Sequence, residues 1–391
     1  MKVAYISFTG FSDCDLPLVR ELIRQGLDIT YYLIISDRTK KGAIIDMDEV
    51  KDVCGVFPAS DYPALHILSQ YINLSKVRVA NMTVAHNYAP STFLLAYKLR
   101  TELQEQDFDL IHLTWPVDYP FYQLYTLQKP YVLTVHDPIP HSNDETLRER
   151  FKRYAAFKRA NKFILLNTVQ RQDFENRYHI RHSDVELSRL GIYTHLSNTP
   201  ITPSMINGDY ILFTGSILPY KGVRYIVQAM ERINKQHPEV KLVIAGRGKL
   251  DFDIQPYING GNVVLINRFI TNEELSSLIF HSKFVCCPYT DATQSGVVMS
   301  AFALDKPVLA TEVGALHEMI DDGRHGMLVP PCDSTELADA ADTMLTGNTL
   351  TLMSENIRQD YSRGDRSWNS IARGVKGIYE SAVKCGKKTE K

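Results

Sequence analysis

No stretch of this sequence reaches the roughly 18 consecutive apolar residues that a membrane-spanning helix needs, so no such helix is expected. Excess charge is also missing. With 43 basic against 45 acidic residues the net charge is −2, which removes any global electrostatic case for nucleic acid. Cysteine is scarce and scattered: Cys14, Cys54, Cys286, Cys287, Cys332 and Cys385 show no metal-ligand spacing, and no metal cluster is visible elsewhere. Cys286 and Cys287 sit side by side in an apolar segment and read as buried thiols, a usage that suits a reducing compartment. The opening MKVAYISFTG is too short an apolar run for a signal peptide and reads as a first strand. The dinucleotide fingerprint G-x-G-x-x-G is absent as well. The loop Thr9-Gly10-Phe11-Ser12 lacks it, and after Gly246-Arg247-Gly248 the next glycine would have to stand at Asp251.

What is present is an α/β pattern written twice. A chain of 391 residues exceeds what one hydrophobic core usually supports, so two domains are expected. Lys2 to Phe8 reads as a strand, Pro17 to Gln25 as a helix stopped by Gly26, and Ile29 to Ile35 as a second strand. Residues 39–90 are broken by Pro58, Pro63, Asn81 and Pro90, and their elements cannot be ordered. Ser91 to Glu105 is a helix; Asp109 to Thr114 and Tyr131 to Val135 are strands. His136 follows the second of these directly. At a strand C-terminus it is either a structural histidine or a catalytic one that meets a substrate hydroxyl or acts as an acid–base. Leu147 to Lys162 is a basic helix, with Leu147, Phe151 and Tyr154 along one side. It is either a solvated helix packed on its domain or a surface for anionic lipid or an anionic acceptor.

Leu196 to Asp209 is rich in Pro, Ser, Thr and Asn and lacks periodicity, so it reads as the interdomain linker. The expected domains are 1–195, the linker 196–209, 210–365, and a closing helix with a frayed tail from Lys384 over 366–391. The second half repeats strand, loop and helix: Tyr210 to Thr214, Gly215-Ser216, Pro219-Tyr220-Lys221-Gly222, then a helix to about Lys235. Strands follow at Val240 to Ala245 and Asn262 to Ile266, and Thr271 with Glu274 forms a capping box. The segment PYTDATQSGVVMSAFALDKPVLATEVGALHE organises this half. Its polar loop leads from a strand into a small-residue helix at Gly296. The first-turn amides of Gln294, Ser295, Gly296 and Val297 and the helix dipole suit a bound phosphate. An ordinary N-cap with a packing glycine has the same chemistry. Parallel-sheet topology would bring Gly215, Ser216, Lys221, Arg247, Arg268 and these amides to one strand-end face, where Lys221 can clamp a diphosphate.

The ordered set ILFTGSILPYKGVRYIVQAM, KLVIAGRG, NRFITNEELSSLIFHSKFVCCPY, QSGVVMSAFALDKPVLATEVGALHEMI and DDGRHGMLVPP resembles the C-terminal domain of glycosyltransferase family 4. In the first half only the strand pattern and VLTVHDPIP are similar. The resemblance implies a GT-B fold: two Rossmann-like domains facing across a cleft, with a C-terminal helix crossing back. It also implies retaining transfer from a nucleotide sugar, UDP-linked by preference, to a polysaccharide or lipid-linked acceptor in the cytoplasm or at the inner face of the membrane. By this resemblance Lys221 and the Ser295, Gly296 and Val297 amides bind the diphosphate. Arg268-Phe269-Ile270 frame the base, and His136 lies near the donor sugar. Where the family usually has a basic residue, this chain has Ser216, and its two usual glutamates fall at Ala292 and Ser300. Asp291 is a substitute for the first, and Ser300 offers a weaker hydrogen bond in place of the second. No cofactor or metal is expected. Rival readings are a nucleotide-sugar epimerase of the same fold and a non-catalytic nucleotide-sugar-binding subunit, which the three departures favour.

Overall fold

A computed structural model describes residues 1–83, 88–139 and 146–386. The chain divides into two compact units. The first holds Met1–Leu190 together with the C-terminal segment from Trp368, and the second holds Gly191–Ser367.

The first unit contains strands β1 (Lys2–Phe8), β2 (Asp28–Ile35), β3 (Gly55–Pro58), β4 (Val77–Asn81), β5 (Leu110–Leu113), β6 (Tyr131–Val135), β7 (Lys162–Leu165) and β8 (Val185–Leu187). Helices α1 (Ser12–Arg24), α2 (Pro90–Glu105), α3 (Leu147–Arg159) and α4 (Arg171–Tyr178) connect them. The sheet order is β3-β4-β2-β1-β5-β6-β7-β8, parallel throughout except for the β3–β4 pair. The inner strands are unbroken apolar runs. Val3 to Ile6 and Tyr131 to Leu133 are at most 1% exposed, as expected for strands covered on both faces.

The second unit opens with α5 (Thr194–Asn198). Strands β9 (Tyr210–Thr214), β10 (Lys241–Ala245), β11 (Val263–Ile266), β12 (Val285–Cys287), β13 (Val308–Thr311) and β14 (Gly326–Val329) follow. The helices after α5 are α6 (Val223–Gln236), α7 (Gln255–Asn259), α8 (Asn272–His281), α9 (Gly296–Ala303), α10 (Leu316–Met319), α11 (Ser334–Leu345) and α12 (Thr349–Ile357). The sheet is wholly parallel, in the order β11-β10-β9-β12-β13-β14. Helix α6 buries Val223, Ile226, Val227, Met230 and Ile233, a stripe at helical spacing, and packs against α11.

The last helix, α13 (Trp368–Gly386), rejoins the first unit. It buries Trp368, Ile371, Val375, Ile378 and Tyr379, the residues whose spacing marked a closing helix. Tyr379 Oη lies 2.5 Å from His112 Nδ1, and Thr134 Oγ1 lies 2.9 Å from His112 Nε2, so a buried polar chain ties α13 to β5 and β6. Of the tail expected to fray from Lys384, residues 387–391 lie outside the described residues.

Three boundaries differ from the sequence expectation. Helix α1 begins at Ser12, five residues before Pro17, because a 3-10 turn at Thr9–Phe11 feeds straight into it and the proline is carried inside the helix. Lys162 is not on the basic helix but opens β7, where its Nζ donates to Ser183 O and to Glu186 Oε1 at 2.8 Å. The chain leaves the first unit at Leu190, so the polar stretch 196–209 belongs to the second unit. Thr202 N donates to Ser277 Oγ at 2.8 Å and Ser276 Oγ to Leu196 O at 3.1 Å, which fastens that stretch to α8.

Candidate donor-binding site

In the second sheet β9 has β10 on one side and β12 on the other. Connections therefore run outward in opposite directions from β9 and β12. Loops at the C-terminal ends of such a pair splay apart and leave a binding crevice. The loop after β9 carries Gly215, Ser216 and Lys221; the loop after β12 carries Pro288 to Ser295.

These two loops touch. Gly222 adopts a left-handed conformation at φ +64°, and a Cβ there would stand 1.8 Å from Pro288 O. Only glycine fits, by backbone conformation and by space. Thr290 N donates to Tyr220 O at 2.8 Å and closes the junction. Lys221 is thereby laid over the buried Tyr289 ring, its Nζ 3.7 Å from the centroid. Among the described residues no carboxylate pairs with this ammonium, and burial pushes its pKa down. A partly desolvated cation without a counter-charge favours an anionic ligand.

The helix α9 completes the arrangement. Ser295 is its N-cap: Oγ accepts from Val298 N at 3.4 Å and lies 3.3 Å from Tyr289 Oη. The amides of Gly296 and Val297 remain at the open first turn. Gly215, at φ +114°, would bring a Cβ within 3.4 Å of Val297 Cγ2. The β9 loop thus lies against α9. Arg247 and Ser216 are exposed, and Ile217 N donates to Arg247 O at 3.0 Å, so the β10 loop joins the same strand-end face. Gly248 N donates to Asn267 Oδ1 at 3.1 Å and Asn267 Nδ2 to Gly248 O at 3.0 Å, which ties in the β11 loop.

Four expected side chains take more limited positions. The Arg268 guanidinium is held by Glu274 through two 2.7 Å bonds, so its charge is already matched. The residues left open beside it are Phe269, 76% exposed, and half-buried Ile270. Ser300 donates from Oγ to Gly296 O at 2.9 Å inside α9. Asp291 is exposed, and Gln294 is half-buried. Gly296 is a glycine for a different reason from phosphate access: a Cβ there would stand 2.9 Å from Tyr193 Oη. Nothing in the local sequence marked Tyr193. Tyr289 was legible only as part of the Pro-Tyr pair that ends β12.

His136 belongs to the first unit, at the C-terminal end of β6. It stacks on Phe11 at 4.5 Å and lies 6.4 Å from the Trp115 ring. Its Nε2 is enclosed and unpartnered, and burial pulls its pKa down to about 4. It is therefore a neutral imidazole at pH 7. It borders a cavity of about 30 Å³ shared with Asp15 and Thr134, enough for one water. Asp15 accepts from Tyr5 Oη at 2.7 Å, from Thr114 Oγ1 at 2.7 Å and from Ser7 Oγ, and desolvation lifts its pKa to about 7.

Two doubly wound parallel sheets, one with its crevice lined by an uncompensated lysine and an open helix N-terminus, define the GT-B class of two-domain proteins. Residues 18–196 match the model described as Glycosyltransferase Family 4, and residues 208–347 match Glycosyl transferases group 1. The chain resembles the family 4 glycosyltransferases, one model matching each of its halves. It is 29% identical over 150 residues to an alpha-D-kanosaminyltransferase of Streptomyces kanamyceticus, a match spanning 37% of this chain and 39% of that protein. With the phosphatidyl-myo-inositol mannosyltransferase of Mycobacterium leprae it shares 24% identity over 307 residues, 75% of this chain and 79% of that one. Among solved structures it resembles Anabaena HepE in complex with UDP, with a TM-score of 0.65, 17% identity, and coverage of 97% and 100% of the two chains.

Proposed function

We propose that this chain is a retaining glycosyltransferase that moves a sugar from a nucleotide sugar, UDP-linked, to a polysaccharide or lipid-linked glycan acceptor. One observation carries the reading: Lys221 is partly buried against Tyr289 with no carboxylate partner among the described residues, in the loop that meets the α9 N-terminus. A diphosphate supplies the missing charge. The HepE structure with UDP and the mannosyltransferase relative support the base and the lipid-linked acceptor.

In this reading Lys221 and the amides of Gly296 and Val297 hold the diphosphate of the donor. They stabilise the charge that develops on it as the bond from the anomeric carbon to the phosphate oxygen breaks. The acceptor oxygen attacks the anomeric carbon from the face the diphosphate leaves, and its proton passes to the departing phosphate oxygen. Phe269 and Ile270 flank the base. Asp291 replaces the usual sugar-reading carboxylate. Neutral His136 offers a hydrogen-bonding nitrogen rather than a charge. The reaction draws on no metal or cofactor.

A peripheral membrane site on the cytoplasmic face fits the same reading. Helix α3 leaves Leu147, Phe151 and Tyr154 exposed at 71%, 68% and 63%, beside Arg150 and Lys158. The test of the donor site is thermal unfolding with UDP, GDP, ADP and their sugars. Ligand at about 100 times its dissociation constant raises stability by roughly 2.7 kcal/mol. A shift in the wild type that Lys221→Ala abolishes is expected; no shift with any nucleotide overturns the assignment.

A further inference from the structure

We infer that Asp15 is a positioning residue for His136: through a water in the cavity they share, it holds the imidazole as the Nε2–H tautomer and leaves Nδ1 as a hydrogen-bond acceptor. The use of that acceptor in catalysis rests on the function proposed above; the link between the two residues does not.

The sheet face decides where His136 points. Tyr5 of β1 stacks on His112 of β5 at 4.3 Å, and His112 Nε2 lies 2.9 Å from Thr134 Oγ1 of β6. These three side chains share one face of the sheet. Helices α1 and α13 lie on the same face, because Asp15 meets Tyr5 and Tyr379 meets His112. Side chains alternate along a strand, so a residue two further on returns to the same face. Two past His112 is Thr114, whose Oγ1 does reach Asp15, at 2.7 Å. Two past Thr134 is His136. Strands β5 and β6 pair in parallel with His112 opposite Val132, so Thr114 and His136 stand at adjoining strand ends. The cavity of about 30 Å³ lies between them and α13, which closes it with Ile371 and Val375.

Hydrogen-bond counting then fixes the direction of the link. An ionised carboxylate offers about four lone-pair sites and no donor. Asp15 Oδ1 accepts from Tyr5 Oη, and Oδ2 accepts from Ser7 Oγ and Thr114 Oγ1, so one site remains on Oδ1. Thr134 Oγ1 is engaged with His112. His136 Nε2 is enclosed and unpartnered, whereas Nδ1 is not enclosed and has no partner among the described residues. A buried water needs several polar partners, and Oδ1 and Nε2 are the two with capacity to spare. Negative charge on Asp15, in a surrounding of low dielectric, favours the tautomer that turns its N–H toward the carboxylate. Nε2 therefore donates to the water, and the water donates to Oδ1. A neutral imidazole carries one N–H, so Nδ1 keeps its lone pair for a substrate hydroxyl.

The test is ¹⁵N NMR of histidine-labelled protein without nucleotide. It is run at about pH 8, above the value near 7 to which desolvation lifts Asp15 and well above that of His136. The His136 signals are identified by their loss in His136→Gln. In the wild type the proton is expected on Nε2. In Asp15→Asn the amide oxygen accepts from Ser7 and Thr114 and its N–H₂ turns toward the water. The water then donates to Nε2, and the proton is expected to move to Nδ1. A wild-type proton on Nδ1 overturns the inference, whether or not the variant folds. A folded Asp15→Asn that keeps the Nε2–H tautomer overturns it as well. Because no nucleotide is present, this result is independent of the donor-site test: a failed donor site removes the catalytic use of Nδ1 and leaves the tautomer to be read.

Discussion

Lys221 Nζ stands 3.7 Å above the centre of the Tyr289 ring, and that ring is fully buried. The contact joins the loops after β9 and β12, the two adjacent strands from which the connections of the second sheet run outward in opposite directions. A cation over a ring gains about 0.5–2 kcal/mol, depending on how far it is desolvated. That is less than one full counter-charge supplies, so the ammonium is held in place but not neutralised.

Lys221→Ala should therefore separate catalysis from stability. Turnover, measured as donor hydrolysis or transfer, should fall about 100- to 1,000-fold, the scale of losing one preorganised donor to developing charge. Thermal stability without ligand should stay within about 2 kcal/mol of wild type, because no ion pair is broken and only the contact with the Tyr289 ring is lost. Wild-type turnover in the variant would remove Lys221 from the mechanism.

The loops of the proposed donor crevice were largely legible in the sequence because they are built from local signals. A lysine before a left-handed glycine, a serine cap before Gly296 and glycines after apolar strands each follow from short-range chemistry. Contacts between distant segments were not legible. Tyr193 over Gly296 spans about a hundred residues, and no periodicity or turn signal foretells it. The Arg268–Glu274 pair was half visible: Glu274 was recognised as the capping-box partner of Thr271, but its second bond to Arg268 was not. Residues 39–90 resisted ordering because the edge strand β3 and its neighbour β4 are short and linked by 3-10 turns, with too few residues to show a period. The domain boundary was misplaced for a related reason. The stretch 196–209 has a linker's composition, yet it is fixed to α8 by Thr202, Ser276 and Ser277.

We propose that the reaction needs no metal, and one candidate cluster among the described residues bears on this. Asp321, His325 and Asp360 lie close enough to hold an ion. Both carboxylates already face arginines: Arg366 Nη2 meets Asp321 at 2.5 Å, and Arg324 Nε meets Asp360 at 2.8 Å. His325 Nε2 is 2.8 Å from Asp360 as well. A cation would have to displace these guanidinium contacts. Chelation should leave both turnover and stability unchanged; loss of turnover on chelation, restored by a divalent ion, would reverse this reading.

Acid stability of the first unit turns on three buried groups. Burial pulls His112 down to about 3 and His136 to about 4, from an ordinary 6.5. Each is neutral in the folded chain while the unfolded chain takes a proton, so stability falls as pH drops below 6.5. Asp15 acts in the opposite sense. Desolvation lifts it from 3.8 to about 7, so its contribution is full below 3.8 and is lost as pH rises through about 7. Between pH 6.5 and 4.5 Asp15 therefore offsets one of the two histidines. Asp15→Asn removes that offset. It also turns an amide N–H₂ toward the Tyr5, Ser7 and Thr114 donors, lowering stability at every pH. Wild type should gain on the variant by about 1.4 kcal/mol for each pH unit of acidification in this window. Parallel denaturation midpoints across the window would show that Asp15 does not titrate there.

Helix α3 divides its own charges. Arg153 and Lys152 meet Glu149, Arg148 meets Asp118, and Arg159 donates to Tyr125 O, Leu127 O and Lys129 O, so these four serve the fold. Arg150 and Lys158 are left outward, beside the exposed stripe of Leu147, Phe151 and Tyr154 at i, i+4 and i+7. The groove along this helix encloses about 1130 Å³ and is also lined by Arg177 and Arg181. An apolar stripe flanked by cations suits the interface of an anionic bilayer. Vesicles containing phosphatidylglycerol should bind the protein in a salt-sensitive way, and purely zwitterionic vesicles should not. Replacing Leu147, Phe151 and Tyr154 together with serine removes apolar surface that is already in water, so folding stability should stay within about 1 kcal/mol. The same change should cut vesicle binding at least tenfold, with donor binding at Lys221 unaffected. Vesicle binding that survives both high salt and the triple substitution would place the membrane contact elsewhere on the chain.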